Sequence, residues 1–309
     1  MQINKQQGTA IIVALFIVAL IATAAIAMIQ RLQIDLRKTE LIIRSDQAYL
    51  YNQGSLAWAK ETLNQAWKRH KSNQVIDGIS PISYPTAKEG PYTISGSLID
   101  IQGRFNLNNL TDPQYHVVFS RLIQVVSPNI DQATSMEMIK AIVDWITPGL
   151  KETPFDAYYL KLNPAYHAAH NLMASVSELL LVKGITPDLF NKLEPYITAL
   201  PTPTQININN APIPVLMSLS PTVQFDTAKQ IAALGKRAPF SDPQKFLALD
   251  IVKNNQIPPG IITVTSNYFL LTTNVTVDQQ KMTINTLLNR VAKETQSRVL
   301  TIWQSKGTS

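Results

Sequence analysis

The sequence predicts an α+β protein: a long N-terminal helix packed on a small antiparallel sheet, with a large all-helical domain inserted. Three observations carry this. An uncharged run over residues 9–29 passes into helical sequence, with no glycine or proline before Gly54. Strand-like segments lie on both sides of the middle of the chain, "PYTISGSLIDIQGRFNL" before it and "YFLLTTNVTV", "KMTINTLLNRV" and "SRVLTIW" after it. Between them, residues 113–249 read as short amphipathic helices separated by Pro, Gly, Asn and Ser.

The N-terminal run is long enough, at about 1.5 Å per residue, to cross a hydrocarbon core of about 30 Å. Lys5 precedes it, and Arg31, Asp35, Arg37, Lys38 and Glu40 follow. The short leader is expected to stay cytoplasmic, with the rest carried outward. Three readings compete: a secretory signal cut after Ala25-Ile26-Ala27, an uncut signal anchor, and a class III leader cut between Gly8 and Thr9. The third is favoured. Gly8 abuts the apolar run directly, and helical sequence continues beyond it, with Leu32, Leu36, Leu41, Leu50, Leu56 and Leu63 at an imperfect 3.6-residue period. A helix over residues 9–67 spans about 90 Å, its first third suited to lipid and its last third to a folded domain. That design resembles the type IV pilins and their relatives. Most such helices carry a glutamate at the fifth mature residue; Val13 stands there, and no carboxylate has to be held in lipid.

The expected order is a leader (1–8), the membrane and amphipathic helix (9–70), the first part of the α/β domain (71–105), a helical insertion (106–257) and C-terminal strands (258–309). Residues 72–90, rich in Pro and Gly, read as a linker. The "NLNNLTD" stretch reads as a loop that caps a helix through Thr111, Asp112 and Pro113. No repeat of fixed period stands out.

Composition excludes several chemistries. Cysteine is absent, which removes disulfides, thiolate metal sites and a cysteine nucleophile. The net charge of +6 comes from scattered residues, so a nucleic-acid partner is not expected. No Walker A loop, dinucleotide fingerprint, HExxH or G-x-S-x-G elbow occurs. No catalytic residue is assigned, and an enzyme is not expected.

"DIQGRFNLNNL" (100–110), "AIVDWI" (141–146), "SVSELLLVKGI" (175–185), "YITALPTPTQININNAPIPVLMSL" (196–219) and "SNYFLL" (266–271) occur in an order and spacing that resemble the K minor pseudopilins of the type II secretion system. The resemblance covers nearly the whole chain and includes the missing glutamate. It implies a subunit cut after Gly8 and N-methylated at Thr9 by the prepilin peptidase. It implies assembly with the H, I and J minor pseudopilins at the tip of a periplasmic pseudopilus that exports folded proteins. It also implies contact with the inner-membrane assembly platform and a single-pass inner-membrane location with a periplasmic C-terminal domain.

Members of that family often bind calcium in an acidic loop after the "DW" phrase. Here the loop reads "DWITPGLKETPFDAYYL", with Asp144, Glu152 and Asp156 dispersed around Lys151. Calcium needs about six to eight oxygen ligands. The loop is a degenerate calcium site, so no cofactor and no metal are expected, and packing of Phe155, Tyr158 and Tyr159 is expected to hold it. His167 and His170 read as a surface turn. "VKGITPDLF" resembles a helix-hairpin-helix turn, read as a core connection, with Asp188 set against phosphate binding. The alternatives kept are a minor pilin of a type IV pilus and a membrane-anchored helix-hairpin-helix DNA-binding protein.

Overall fold

The computed structural model describes residues 6–71, 81–150, 153–277, 280–293 and 296–308. In chain order the helices and strands are α1 (Gln6–Lys71), β1 (Ile82–Glu89), β2 (Tyr92–Asp100), β3 (Phe105–Asn106), α2 (Gln114–Val126), α3 (Gln132–Ile146) and α4 (Pro154–Tyr159). Then follow α5 (Pro187–Leu193), β4 (Ile197–Thr198), β5 (Ile206–Asn207), α6 (Ile213–Ser218), α7 (Phe225–Arg237) and α8 (Pro243–Leu247). The chain ends with β6 (Ile262–Thr263), β7 (Tyr268–Val277), β8 (Gln280–Lys293) and β9 (Gln296–Thr308). The chain divides into two units, residues 1–54 and 55–309.

The described part of the first unit is helix α1 as far as Gly54. Its apolar side chains from Ile11 to Ile29 stand exposed, and its hydropathy qualifies it to cross a membrane. With no glycine or proline from Thr9 to Gln53, each internal N–H of that stretch finds its i−4 carbonyl, which lipid requires.

In the second unit an antiparallel sheet runs in the order β1-β2-β7-β8-β9. Around the start of β7 both faces are covered, which explains the continuous apolar run at "YFLL". Side chains alternate between faces. Leu56, Ala59 and Leu63 of α1 pack on Leu98, Phe269, Leu271, Leu288 and Val299, while Ile101, Leu200, Tyr268 and Leu287 form a core on the opposite face. Ser297 Oγ donates to Asn64 Oδ1 at 2.6 Å and ties β9 to the same helical segment.

Strand β1 lies where the sequence suggested a linker; of that stretch, residues 72–80 fall outside the described residues. Pro85 can sit here because β1 is an edge strand and the register shifts between Tyr84 and Ala87. Gly90, with φ of 56°, and Pro91 close the hairpin onto β2, the glycine taking the left-handed position that a type II′ turn puts first.

The sheet strands bracket residues 101–267, so the insertion begins earlier and ends later than the expected 106–257. The "PYTISGSLIDIQGRFNL" stretch holds two strands that do not pair with each other. It leaves the sheet after Asp100, and Phe105–Asn106 pairs instead with β4. The insertion has its own core, from Phe105 to Val264.

That core is organised by a device used twice. Phe105-Asn106-Leu107-Asn108-Asn109 and Ile206-Asn207-Ile208-Asn209-Asn210 each begin with a two-residue parallel pairing, β3 with β4 and β5 with β6. In each, the first asparagine accepts from the amide two residues on: Asn106 Oδ1 from Asn108 N at 3.2 Å, Asn207 Oδ1 from Asn209 N at 3.1 Å. In each, the second asparagine clamps the backbone of a distant loop, at Met173 and at Phe240. A short helix follows shortly after, α2 or α6. The sequence reading found no fixed-period repeat; two short, diverged copies do not show as one.

Candidate functional site

Gly8, Thr9 and Val13 lie together in the first turns of α1. Thr9 and Val13 are exposed, Val13 by 56%. The segment that a leader peptidase would read is thus within a helix whose flanks carry only apolar side chains on the C-terminal side. Lys5 lies outside the described residues.

The second candidate is the loop after α3. Among the described residues, Asp144, Asp156 and His170 place one ligand atom each within 4.8 Å of one another. Asp144 is on the last turn of α3, Asp156 is on α4 and His170 is in the irregular segment beyond. His170 has a φ of 41°, which turns its ring back between the two helices. Its Nδ1 is 3.1 Å from the Asp144 carbonyl oxygen, and its Nε2 is 3.0 Å from both carboxylate oxygens of Asp156.

Thr153 locks the other side. Its amide donates to Asp156 Oδ2 at 3.0 Å, and its hydroxyl accepts from the Asp156 amide at 3.1 Å, a capping box that starts α4. The same hydroxyl donates to Asp144 Oδ2 at 3.1 Å. These environments push the two acids apart. Burial raises the pKa of Asp144, against the Thr153 hydroxyl and His170. Burial also acts to raise Asp156, but the Thr153 amide and the His170 ring outweigh it and hold the carboxyl below its ordinary value.

Trp145, Tyr159 and Tyr166 form the floor of the loop, with Trp145 edge-on to Tyr159 at 5.5 Å. Tyr159 is fully buried, and its hydroxyl accepts from the Lys183 amide at 3.2 Å. Burial pushes its phenol up to about 12. Of the aromatic residues expected to hold the loop, Tyr159 is a core residue. Phe155 and Tyr158 present their rings to the Lys183 ammonium at 5.5 and 4.9 Å.

Among the described residues, the cluster does not fit calcium. Both Asp156 oxygens lie 3.0 Å from His170 Nε2, an Asp144 oxygen takes the Thr153 hydroxyl, and His170 brings a nitrogen where this hard cation takes oxygen. Lys151 and Glu152 lie outside the described residues. His170 is not in a free surface turn as the sequence suggested; its ring is mostly covered and bonded at both nitrogens. The sequence had grouped Asp144 with Asp156 as carboxylates of one loop, but had set His170 apart with His167.

The glycine turn "VKGITP" has Gly184 at φ 88° and Thr186 capping α5 through the Leu189 amide. Its nearest cation, Lys183, is seated on the protein's own aromatic rings, and Lys192 pairs with Asp188 at 2.7 Å. The turn serves the insertion's core through the buried Val182, Ile185 and Leu189.

The profile of the family described as "Type II secretion system (T2SS), protein K" matches residues 103–202. The type II secretion system protein K of Aeromonas hydrophila is 28% identical, over 86% of this chain and 87% of its own. That of Pseudomonas aeruginosa is 24% identical, over 96% and 92%. The fold is that of a solved chain in the GspK-GspI-GspJ complex of enterotoxigenic Escherichia coli. It matches with a TM-score of 0.71 and 22% identity, over 88% of this chain and 100% of that one. The matched profile lies on the first of the two asparagine-clamped halves, and the relatives extend the likeness over most of the chain: this chain is similar to type II secretion system protein K along most of its length.

Proposed function

We propose that this chain, a minor pseudopilin of type II secretion, caps the tip of the pseudopilus and starts its assembly with the I, J and H minor pseudopilins. It is held as a single-pass protein of the inner membrane with its folded body in the periplasm. The prepilin peptidase cuts after Gly8 and methylates Thr9, and the inner-membrane assembly platform then draws the mature subunit into the filament. Its work is structural, without catalysis and without a cofactor.

The observation that carries this reading is the unbroken course of α1 from Gln6 to Lys71. Its apolar start matches a bilayer in length, and its last turns are part of the sheet's core. Removal of a secretory signal after Ala27 would discard the membrane half of that helix. The absence of a carboxylate at Val13 suits a terminal subunit, which has no neighbour above it to engage. The solved relative's complex with GspI and GspJ supports the choice of I and J as partners.

The test is the intact mass and N-terminal sequence of the protein from native membranes, with and without active prepilin peptidase. A peptidase-dependent methylated Thr9 is expected. A start near Met28 or an intact Met1 in the presence of the peptidase would overturn the reading.

A further inference from the structure

We infer that β9 is a docking edge for an extended, acidic segment of another protein, which adds beside it as a further strand and seats an apolar side chain at the cleft next to Trp303. β9 is the last strand of the sheet, and among the described residues no strand pairs with its outer side. The opposite edge is blunted: β1 carries Pro85 and a register shift, two devices that stop further pairing. β9 has no proline over its 13 residues. Its register with β8 shifts once, at Ile302, and runs on regularly from Trp303 to Thr308. Residues 301–307 are exposed one after another. Ile302 and Trp303 are exposed by 40% and 38%, and natural sheets avoid large apolar side chains on an open edge unless something covers them.

The cleft beside this edge has a volume of about 490 Å³. Leu270, Leu287 and Trp303 line it from the sheet, and Ile197 and Ala199 from the insertion. The register explains the arrangement. Leu270 is opposite Leu287, and Leu287 is opposite Trp303, so the three form one row across a single face and the row ends at the edge. The residue of an added strand opposite Trp303 continues that row. Charge defines the occupant. β7, β8 and β9 contain no Asp or Glu, while Lys281, Arg298 and Lys306 are exposed. A second copy of this chain is a poor match. Two β9 strands offer no carboxylate in any register, and antiparallel pairing about Ile302 sets Arg298 against Lys306, which is destabilising. A second copy's β1 is blunted by Pro85.

The experiment uses the full chain in detergent micelles and a blocked peptide of alternating glutamate and valine, about eight residues long. It reads peptide affinity by fluorescence anisotropy and amide hydrogen exchange along the chain. The peptide is expected to bind and to slow exchange at residues 301–307. A lysine–valine peptide, and a glutamate–proline peptide that carries the same charge but cannot pair as a strand, are each expected to bind at least about tenfold more weakly. Trp303→Ser is expected to weaken the glutamate–valine peptide by about tenfold. Arg298→Glu combined with Lys306→Glu is expected to transfer the preference to the lysine–valine peptide, a gain that misfolding does not imitate. Equal binding of the glutamate–proline peptide would overturn the inference, because attraction to the chain's net positive charge would then suffice. Unchanged exchange at residues 301–307, or a charge-reversed chain that still prefers the acidic peptide, would also overturn it.

Discussion

Asn108 and Asn209 close the same ring of hydrogen bonds at corresponding places in the two halves of the insertion. Asn108 Oδ1 accepts from the Met173 amide at 2.9 Å, and its Nδ2 donates to the Met173 carbonyl at 2.9 Å. Asn209 Oδ1 accepts from the Phe240 amide at 2.8 Å, and its Nδ2 donates to the Phe240 carbonyl at 2.9 Å. A second donor bond from each reaches the chain beside β4 or β6, at Leu200 and Val264. One side chain thus satisfies backbone groups that no helix or sheet reaches, as buried polar groups require.

Replacing either asparagine by aspartate keeps the shape and turns the donor into an acceptor facing two carbonyls. Asn108→Asp and Asn209→Asp are each expected to cost about 3 kcal/mol, the penalty of buried unsatisfied groups. Urea unfolding of the full chain measures this. A cost below about 1 kcal/mol, the ordinary net value of one hydrogen bond, would mean that water replaces the clamp.

Asp100 is the junction of sheet and insertion. Its Oδ2 accepts from Asn207 Nδ2 at 2.8 Å, Asn210 Nδ2 at 2.6 Å and Ser266 Oγ at 2.7 Å, and its Oδ1 from the Gln102 amide at 2.8 Å. Burial, the largest influence, raises its pKa, and these four bonds recover only part of that. A raised carboxyl contributes stability that is fully present below its unfolded value, about 4, and lost as pH rises through the higher folded value. Asp100→Asn removes the titration and sets an amide NH2 against at least one N–H donor, that of Gln102. It is expected to cost about 1–3 kcal/mol at neutral pH. The deficit relative to the parent should widen as pH falls toward 4, because only the parent gains from protonation. Unfolding curves over a pH series check both the size and the sign.

The sequence made the large elements legible where a pattern was long. The N-terminal helix declared itself through an uninterrupted run, and β7 to β9 through β-branched residues and alternation. Strand β1 was hidden because Pro85 argues against a strand unless the strand is known to be an edge. The asparagine clamps were in plain sight as "NLNNL" and "NINNA", but composition marks such stretches as loops. Only tertiary contact reveals that Asn106, Asn108 and Asn207 are completely buried. The His170 cluster was illegible for a similar reason. Its members sit on three separate elements, and spacing along the chain says nothing about which of them meet.

Gly103 lies where Asp100's strand turns into the insertion. A Cβ there would fall 2.5 Å from the Asn210 carbonyl carbon and oxygen and 2.9 Å from the Ala211 nitrogen. These are backbone atoms inside the clamp, so they cannot rotate away as a flexible side chain could. Gly103→Ala is expected to cost at least about 3 kcal/mol, more than ordinary overpacking of a side-chain contact. Gly54→Ala, whose Cβ meets nothing within 4 Å, is expected to gain up to about 1 kcal/mol from helix propensity. Thermal melting of the pair beside the parent separates a steric junction from a general intolerance of added methyl groups.

Leu63 is 2% exposed and packs, with Leu56 and Ala59, on Leu98, Leu271 and Leu288. Leu63→Ala removes the transfer energy of the buried methyl groups and leaves a cavity between helix and sheet, at a cost of about 2–5 kcal/mol. The site is far along the chain from Gly8 and Thr9, so leader cleavage is expected to proceed at the parent's rate while the folded body becomes protease-sensitive. Mass spectrometry for the leader and urea unfolding for the body read the two effects separately. Loss of processing in Leu63→Ala would show that the peptidase depends on the packed sheet as well as on the first turns of α1, and the helix would then have to be treated as one functional element from its leader to its last turn.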